Sequence, residues 1–228
     1  MQEPHKYPKI SVLICALNEA DNLCRVLPEI PTWVDEVVLV DGHSTDNTVE
    51  VAKALCPDIR IVHQGGQGKG DAIKCGVQSA SGDIVVTLDA DGATDPREMS
   101  KFVKALVGGF DFAKGSRLAH GQPPNMPRHR WLGNKVLTTT CNILHGTKYT
   151  DVCSGYNAFW KSAFLRLRLA NDGFEMEQEM LVKVKRAELS VVEVEHHDAG
   201  RSNGVSKVAD IRQGLVDLMV IIKERFRG

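Results

Sequence analysis

The sequence lacks several features that would place it in a specialised class of protein. Its formal net charge is −1, from 28 basic and 29 acidic residues, so overall charge gives no indication of nucleic-acid binding. No apolar run approaches the ~20 residues that a membrane-spanning helix needs. The first nine residues are polar and lack the apolar core of a secretory signal peptide. We therefore expect a cytoplasmic protein without a nucleic-acid partner.

The cysteines also lack a recognisable pattern. None of the six forms a C-x-x-C pair, the spacing that is typical of redox and zinc sites. Several lie inside apolar or periodic segments, where a cysteine packs as a small hydrophobic residue. We expect free thiols in a reducing compartment. The sequence contains no internal repeat and no low-complexity linker, so its 228 residues favour a single domain.

In the first half of the chain, short apolar runs alternate with amphipathic segments. This alternation predicts an α/β fold, with a mostly parallel sheet and helices on both of its faces. The second half is less regular, and 119–130 is a predicted loop because it is rich in Gly, Pro and Asn. Predicted strands cover 10–16, 36–40, 59–63, 83–88, 110–115 and 190–194. Predicted helices cover 19–27, 44–55, 70–79, 96–107, 132–144, 162–169, 175–187 and 208–226.

Polar clusters follow the first four predicted strands. Ligands of open parallel sheets bind outside the carboxyl ends of the strands, so these clusters should converge on one site. The most informative pair is Asp89 and Asp91, directly after an apolar strand. Their carboxylates suit Mg²⁺ or Mn²⁺ and leave positions for phosphate oxygens, although a solvated acidic turn is an alternative. The four clusters are 18–19, 41–46, 65–71 and 89–95.

Several short motifs occur along the chain in a definite order. They are Leu17-Asn18-Glu19 with Asn22, Val40-Asp41-Gly42 with Ser44-Thr45-Asp46, Gly68-Lys69-Gly70-Asp71-Ala72, Asp89-Ala90-Asp91 with Asp95-Pro96, Gly115-Ser116-Arg117, Asp151-Val152-Cys153-Ser154-Gly155-Tyr156, Glu179, and Arg201-Ser202-Asn203-Gly204-Val205-Ser206-Lys207. Together they resemble a family 2 glycosyltransferase of the GT-A fold, within the dolichyl-phosphate mannose synthase-like group of polyprenyl-phosphate glycosyltransferases. The resemblance covers about residues 9–214.

The resemblance implies a Rossmann-like, mostly parallel sheet flanked by helices, with a mixed acceptor-side half. Residues 1–117 would form the nucleotide-sugar-binding half. Residues 118–228 would form the acceptor half, ending in an amphipathic helix. Asp89 and Asp91 would hold Mg²⁺ or Mn²⁺. The residues implied for nucleotide-sugar binding are Leu17, Asn18, Glu19, Asp41, Lys69, Asp71, Asp89, Ala90, Asp91, Arg117, Arg201 and Lys207.

Several of these assignments have ordinary structural alternatives. Asp41 could simply cap the next helix, and Lys69 could be solvated at a glycine-rich turn. The stretch 65–70 is neither a dinucleotide fingerprint nor a Walker A motif, since its glycines have the wrong spacing. Arg117 and Arg201 could be surface charges, although arginine is well suited to binding a diphosphate.

The sequence departs from the resemblance at the metal site and leaves the catalytic residues open. Ala93 stands where related chains often carry glutamine, and alanine cannot ligate, so His196 or His197 is a candidate further ligand. Transfer to a hydroxyl needs a general base, whereas a phosphate oxygen is already anionic. The candidate bases are Asp151 first and Glu179 second, while Arg201 would stabilise the leaving diphosphate. Helical spacing places Glu175 and Glu179 on one face and Glu177 elsewhere.

The resulting hypothesis is inverting transfer of a sugar from a GDP- or UDP-sugar. The acceptor would be a polyprenyl phosphate or a soluble hydroxyl compound, and three cations, Arg128, His129 and Arg130, favour an anionic one. A sugar nucleotidyltransferase is an alternative, but 16–20 lacks the glycine-rich, basic loop of that class. A non-catalytic nucleotide-sugar-binding module is another.

The last predicted helix carries apolar residues at helical spacing and ends in basic residues. Such a helix could lie on an anionic membrane surface, pack on its own core or join a second subunit. Peripheral membrane contact and a homodimer therefore both stay open. The residues concerned are Leu215, Leu218, Met219 and Ile222, followed by Lys223, Arg225 and Arg227.

Overall fold

Seven strands form one sheet in the computed structural model, which describes residues 7–119, 121–124, 126–204 and 210–227, with the backbone alone for Asp210. Their order across the sheet is β3-β2-β1-β4-β6-β5-β7. The predicted mixed α/β sheet flanked by helices is thereby confirmed. The strands are β1 (Ile10–Ala16), β2 (Glu36–Asp41), β3 (Arg60–His63), β4 (Ile84–Asp89), β5 (Phe112–Ser116), β6 (Asn157–Trp160) and β7 (Val191–Glu195).

Helices cover both faces of this sheet. Alternate residues of the central strands point to opposite faces, so Leu13 and Val38 join one core cluster while Val12 and Leu39 join another. The helices are α1 (Ala20–Val26), α2 (Thr48–Leu55), α3 (Lys69–Ser79), α4 (Met99–Val107), α5 (Arg128–His145), α6 (Lys161–Arg166), α7 (Met176–Arg186) and α8 (Asp210–Phe226). Short 3₁₀ turns at Leu27–Glu29 and Pro96–Glu98 precede β2 and α4.

The first four strands run in parallel, as their sequence pattern predicts. β1 pairs with β2 on one side and with β4 on the other, and β3 pairs with β2. The register places Cys15 beside Asp89 and Ala16 beside Asp41. The carboxyl ends of these strands, and the polar residues that follow them, therefore share one edge of the sheet.

The sequence pattern missed β6, which lies between β4 and β5 and runs antiparallel to both. This strand has four residues, Asn157–Trp160, and a helix begins directly after it, so no period-two alternation can develop. Because β6 separates β4 from β5, the two halves of the chain interleave in a single sheet.

Helix α5 begins four residues earlier than predicted. Arg128, His129 and Arg130, assigned to a loop by composition, form its first turn, directly after Pro127. Proline restricts its own backbone without preventing a helix from starting after it. α5 packs against α8, and both bury one face in the same core cluster, through Leu137 and Ile221 respectively.

Two further observations concern the cysteines and the helices. All six cysteines are free thiols. Within the described ranges, no helix is both long enough and apolar enough to cross a bilayer.

Candidate active site

Two cavities open along the edge of the sheet where β1, β2 and β4 end. We name the larger, of about 480 Å³, the donor compartment, because most of the residues predicted for nucleotide-sugar binding line it. We name the smaller, of about 310 Å³, the acceptor compartment, because most of its lining comes from 118–228, the predicted acceptor half. Six residues line both and form the boundary between them. They are Asp89, Asp91, Arg117, Arg130, Cys153 and Arg201.

Eight of the twelve residues predicted for nucleotide-sugar binding line the donor compartment. They are Leu17, Glu19, Lys69, Asp89, Ala90, Asp91, Arg117 and Arg201. Three others, Asn18, Asp41 and Asp71, are described but do not line it. The last, Lys207, lies outside the described residues, so its predicted role stays a prediction.

Lys69 bridges two carboxylates in the wall of the donor compartment. Its Nζ lies 2.6 Å from Oδ1 of Asp89 and 2.7 Å from Oε1 of Glu177. Burial alone would lower the pKa of Lys69, but the two carboxylates raise it above its usual value, so the ammonium stays charged. Lys69 is the first residue of α3 and follows Gly68, whose φ of 96° suits glycine.

Glu177 is the residue that sequence reasoning missed. Helical spacing places Glu175 and Glu179 on one face and Glu177 elsewhere, but it does not indicate which face lies towards the site. The Glu179 carboxylate is fully buried, pairs with Lys183 at 2.7 Å and accepts hydrogen bonds from the backbone N–H groups of Ala170 and Asn171. Glu179 thus anchors the loop before α7, while Glu177 lines the donor compartment.

Arg201 connects the second aspartate of the motif to Glu19, the N-cap residue of α1. Its Nη2 donates to both carboxylate oxygens of Glu19, at 2.8 and 2.6 Å, and its Nη1 lies 3.7 Å from Oδ2 of Asp91. Burial, and then the charge of Asp89, raise the pKa of Asp91 above its usual value. A further positive charge at this position would therefore be stabilised electrostatically.

Arg117 lies at the boundary between the compartments and is held by Asp151. Nε of Arg117 is 2.7 Å from Oδ2 of Asp151, and Nη2 is 3.1 Å from Oδ1. Burial alone would raise the pKa of Asp151, but the charges of Arg117 and Lys114 hold it far below its usual range. Asp151 is fully buried and lines neither compartment. A general base must reach its proton, whereas Asp151 holds Arg117 in this structure, so its role as a base stays a prediction.

The remaining predicted donor residues shape the loops around the compartment. Asn18 adopts a left-handed conformation, with φ of 52°, and its Oδ1 accepts a hydrogen bond of 2.7 Å from the backbone N–H of Thr45. Asp41 accepts from the backbone N–H of Ser44, at 3.2 Å, in the loop before α2, and it does not cap that helix, whose N-cap residue is Asn47. Asp71 accepts from the backbone N–H of Gly66, at 2.9 Å. The contacts of Asn18 and Asp41 connect the ends of β1 and β2 to the loop before α2. The contact of Asp71 closes the glycine-rich turn.

With this geometry established, comparison with known proteins identifies the family. The sequence model of the family described as "Glycosyl transferase family 2" matches residues 11–168. The chain belongs to glycosyl transferase family 2.

Two relatives of this family 2 chain are archaeal. Glycosyltransferase AglJ of Haloferax volcanii is 33% identical over 76% of the chain and 57% of the relative. A dolichol-phosphate mannosyltransferase of Pyrococcus furiosus is 31% identical over 88% of the chain and 59% of the relative. The chain therefore spans somewhat more than half the length of these two proteins.

A solved structure shows the same fold. It is glucosyl-3-phosphoglycerate synthase from Mycobacterium tuberculosis in complex with Mn²⁺, uridine-diphosphate-glucose and phosphoglyceric acid. The TM-score is 0.76, with 21% identity, over 97% of this chain and 81% of that one. At this identity the likeness concerns the fold alone.

The carboxylates of Asp89 and Asp91 are suitable ligands for a divalent cation. Asp89 and Asp91 line the same cavity, with a cationic side chain beside each. No cluster of three or more His, Cys, Asp or Glu side chains that could hold a metal occurs in the described part of the chain. Two carboxylates suffice for Mg²⁺ or Mn²⁺ when the remaining positions are filled by water and the phosphates of a substrate.

The structure does not bring the predicted third ligand to the site. His197 is exposed and lines neither compartment, and its backbone N–H donates to Oε2 of Glu98. His196 is buried instead in the wall of the acceptor compartment, with Nε2 at 2.9 Å from Oγ of Ser154. Asp198 lies in the same wall, 3.5 Å from Nη1 of Arg117. The strand alternation at the end of β7 decides which of these neighbours faces inwards.

Proposed function

We propose that this chain transfers a sugar from a nucleotide diphosphate-sugar to an acceptor that carries a phosphate, and that the acceptor is a polyprenyl phosphate. The observation that carries the proposal is the shared boundary of the two compartments. It places two acidic residues, Asp89 and Asp91, beside three arginines, Arg117, Arg130 and Arg201. Such a boundary would hold a diphosphate on one side and a second anion on the other.

The relatives support an anionic acceptor. The Pyrococcus furiosus relative is named for dolichol phosphate, and the Mycobacterium tuberculosis complex contains phosphoglyceric acid. Both compounds carry a phosphate. The Pyrococcus furiosus protein is more similar in sequence to this chain than the Mycobacterium tuberculosis protein, at 31% against 21% identity. This similarity favours a lipid-linked acceptor.

In the proposed reaction an acceptor phosphate oxygen attacks the anomeric carbon as the bond to the diphosphate oxygen breaks, with inversion. A divalent cation held by Asp89 and Asp91 would stabilise the negative charge on the leaving diphosphate. Arg201, held by Glu19, adds positive charge on the donor side. Arg117, held by Asp151, orients the acceptor.

No general base is required for this acceptor. A phosphate oxygen is anionic at neutral pH, so it attacks without losing a proton to the protein. This agrees with the positions of the two carboxylates that the sequence offers as bases. Asp151 and Glu179 are both fully buried and both committed to cationic side chains. Lys69 instead pairs with both Asp89 and Glu177 and balances one of their two negative charges.

The proposal is tested first by ligand binding. Thermal unfolding is measured with UDP, GDP and other nucleoside diphosphates, with and without Mn²⁺. A ligand that binds only the folded protein raises the midpoint by mass action. We expect a metal-dependent rise with one nucleotide, abolished in Asp91→Asn and retained in Asp58→Asn, which changes an exposed aspartate far from the compartments. No rise with any nucleoside diphosphate would exclude the proposed donor.

Turnover then separates the acceptors. The matching nucleotide-sugar is offered with a polyprenyl phosphate in detergent, with phosphoglyceric acid, and with a neutral alcohol. Sugar transfer to the polyprenyl phosphate is expected. Transfer to phosphoglyceric acid alone would replace the lipid acceptor by a soluble phosphate, and transfer to the alcohol alone would contradict an anionic acceptor. Pyrophosphate release from a nucleoside triphosphate and a sugar phosphate would instead identify a nucleotidyltransferase.

A further inference from the structure

The outer face of α8 carries an unpartnered apolar stripe. Its members recur at spacings of four, four, three and four residues, so they occupy one face of the helix. Each is exposed by 41–82%. The opposite face is buried in the protein, through residues such as Val220 and Ile221. The stripe consists of Ile211, Leu215, Met219, Ile222 and Phe226.

The outer face of α5 has the same character. Leu132, Val136 and Ile143 are 50–75% exposed and share one helical face, because they are four and seven residues apart. The opposite face, including Leu137 and Cys141, lies in the core.

The two stripes lie on adjoining helices. α5 and α8 pack against each other, and Nε2 of His145 on α5 lies 2.9 Å from the carbonyl oxygen of Ile221 on α8. Since both helices bury their inner faces in the same cluster, both stripes point away from it. Together they form the α5–α8 surface. It holds eight of the fifteen large hydrophobic side chains that are exposed in the described residues. An apolar concentration of this kind is typical of an interaction site.

Among the side chains of α5 and α8 that the structure describes, the exposed charged ones all carry the same sign. The sequence of α5 contains no acidic residue. Within 211–227, the two acidic residues, Asp217 and Glu224, are both buried. The exposed basic residues of the two helices are Arg128, Arg130 and Lys135 on α5, and Arg212, Lys223 and Arg225 on α8.

We propose that the α5–α8 surface docks on an anionic lipid bilayer. Apolar side chains on one helical face enter the boundary between headgroups and acyl chains, while the flanking lysines and arginines contact anionic headgroups. A second copy of the chain is a poorer occupant, because pairing two such surfaces would bring cationic side chains together. The sign of the exposed charge thus favours the lipid surface over the homodimer.

The position of α5 relates membrane docking to the acceptor compartment. This step rests on the proposed function. Arg130, in the first turn of α5, lines both compartments, and Leu132 begins the apolar stripe two residues later. A docked bilayer would therefore lie beside the acceptor compartment. A lipid-linked phosphate could reach Arg130 while its chain stays in the membrane.

The docking is tested with vesicles, in the absence of donor and acceptor. The full chain is sedimented with phosphatidylcholine vesicles, with and without about 30 mol% phosphatidylglycerol. Binding to the anionic vesicles is expected, with weak binding to the neutral ones. Raising the salt to about 0.5 M should weaken it, because screening acts on the headgroup contacts. Equal binding to both vesicles, or none to either, would overturn the proposal.

Matched variants locate the contact. Leu215→Gln with Met219→Gln, and separately Val136→Gln with Ile143→Gln, should each lower the partition coefficient roughly tenfold or more. The control, Leu55→Gln with Val107→Gln, removes comparably exposed apolar side chains elsewhere and should bind like the parent. An equal loss in the control would mean that the α5–α8 surface is not the site.

Charge variants and light scattering complete the test. Lys223→Gln with Arg225→Gln should weaken anionic-vesicle binding roughly tenfold or more, whereas Arg25→Gln with Lys53→Gln should not. A dimer that dissociates in Leu215→Gln with Met219→Gln, with no vesicle binding by the parent, would assign the surface to a second copy. Asp91→Asn should bind vesicles normally, so loss of transfer and loss of docking can be told apart.

Discussion

Arg117 and Asp151 form a two-bond ion pair in which the carboxylate is fully buried and the guanidinium faces both compartments. Asn134 and the backbone N–H of Cys153 donate to the same carboxylate, at 2.7 and 2.9 Å. The pair therefore holds an arginine at one position and orientation, at the boundary where two anions would meet. Arg117 would lose this orientation if its partner were neutral.

Asp151→Asn should destabilise the fold, because it leaves the largely buried Arg117 with only Asp198, 3.5 Å from its Nη1, as a counter-charge. Breaking a buried pair from one side costs about 3–5 kcal/mol of unfolding free energy. Urea denaturation of the variant and the parent at neutral pH would measure this loss. Lys101→Gln is the matched control, since its exposed pair with Glu98 should contribute less than about 1 kcal/mol. Similar losses in the two variants would contradict the structural role given to Asp151.

Asp217 should make the fold less stable as the pH rises. Burial raises its pKa to about 6, helped by the charges of Glu177 and Glu175, although a hydrogen bond from Gln213 opposes this. The folded chain thus binds this proton more tightly than the unfolded chain, whose aspartate pKa is about 3.9. The resulting penalty grows as the pH rises from about 4 to about 6 and is complete above that range.

Asp217→Asn should remove that penalty. Its free energy of unfolding should exceed that of the parent by about 1–2 kcal/mol at about pH 7.5, and the two should agree near pH 4. Urea unfolding at both pH values measures this. Asp58→Asn, at an exposed position, should follow the parent throughout. A stabilisation that persists unchanged at the lower pH would have another cause.

Gly155 should be essential to the donor compartment because the ion pairs of Lys69 pass close to it. A Cβ at this position would lie 2.5 Å from Nζ of Lys69 and 2.7 Å from Oδ2 of Asp89. Gly155→Ala should therefore displace the pair and lower nucleotide affinity about tenfold or more, as a loss of about 1.4 kcal/mol or more in binding. Titration with the nucleotide found by thermal unfolding measures it.

A second glycine provides the control. An added Cβ at Gly133, in α5, meets no heavy atom within 4 Å. Gly133→Ala should leave nucleotide affinity unchanged and stabilise the helix by about 0.5–1 kcal/mol. If Gly155→Ala also leaves affinity unchanged, the ion pairs are not part of the donor site.

Lys69 and Glu177 should be energetically coupled. Lys69→Met leaves Asp89 and Glu177 as neighbouring carboxylates with no cation between them, so it should lower the free energy of unfolding. Glu177→Gln in that background removes one of the two charges and should restore part of the loss. The double-mutant cycle should give a coupling of about 1–3 kcal/mol. Strict additivity would show that the pair contributes nothing jointly.

The parallel half of the fold was predictable because its signals are local. Runs such as the one in β1 are rich in branched apolar residues, and the polar residues after each strand mark its carboxyl end. The order in which β1, β2 and β4 lie follows from the short helical connections between them. Asp89 and Asp91 could be placed at the site for the same reason, since they directly follow β4.

The second half was less predictable because its positions depend on packing partners distant in sequence. β6 is a strand only because its four residues pair with β4 and β5 on either side. Glu177 faces the donor compartment because α7 packs with its other faces against the core and α8. Helical spacing alone relates the three glutamates to each other and not to the cavity.

The sequence by itself determined the family, the parallel sheet and the acidic pair, because these depend on residue types and spacings within short stretches. Only the tertiary structure decided which charges neutralise each other. Asp151 with Arg117, and Glu19 with Arg201, are separated by 34 and 182 residues in the chain. Such pairs form where the fold brings buried charges together, since an ionised group leaves water only when a partner compensates it.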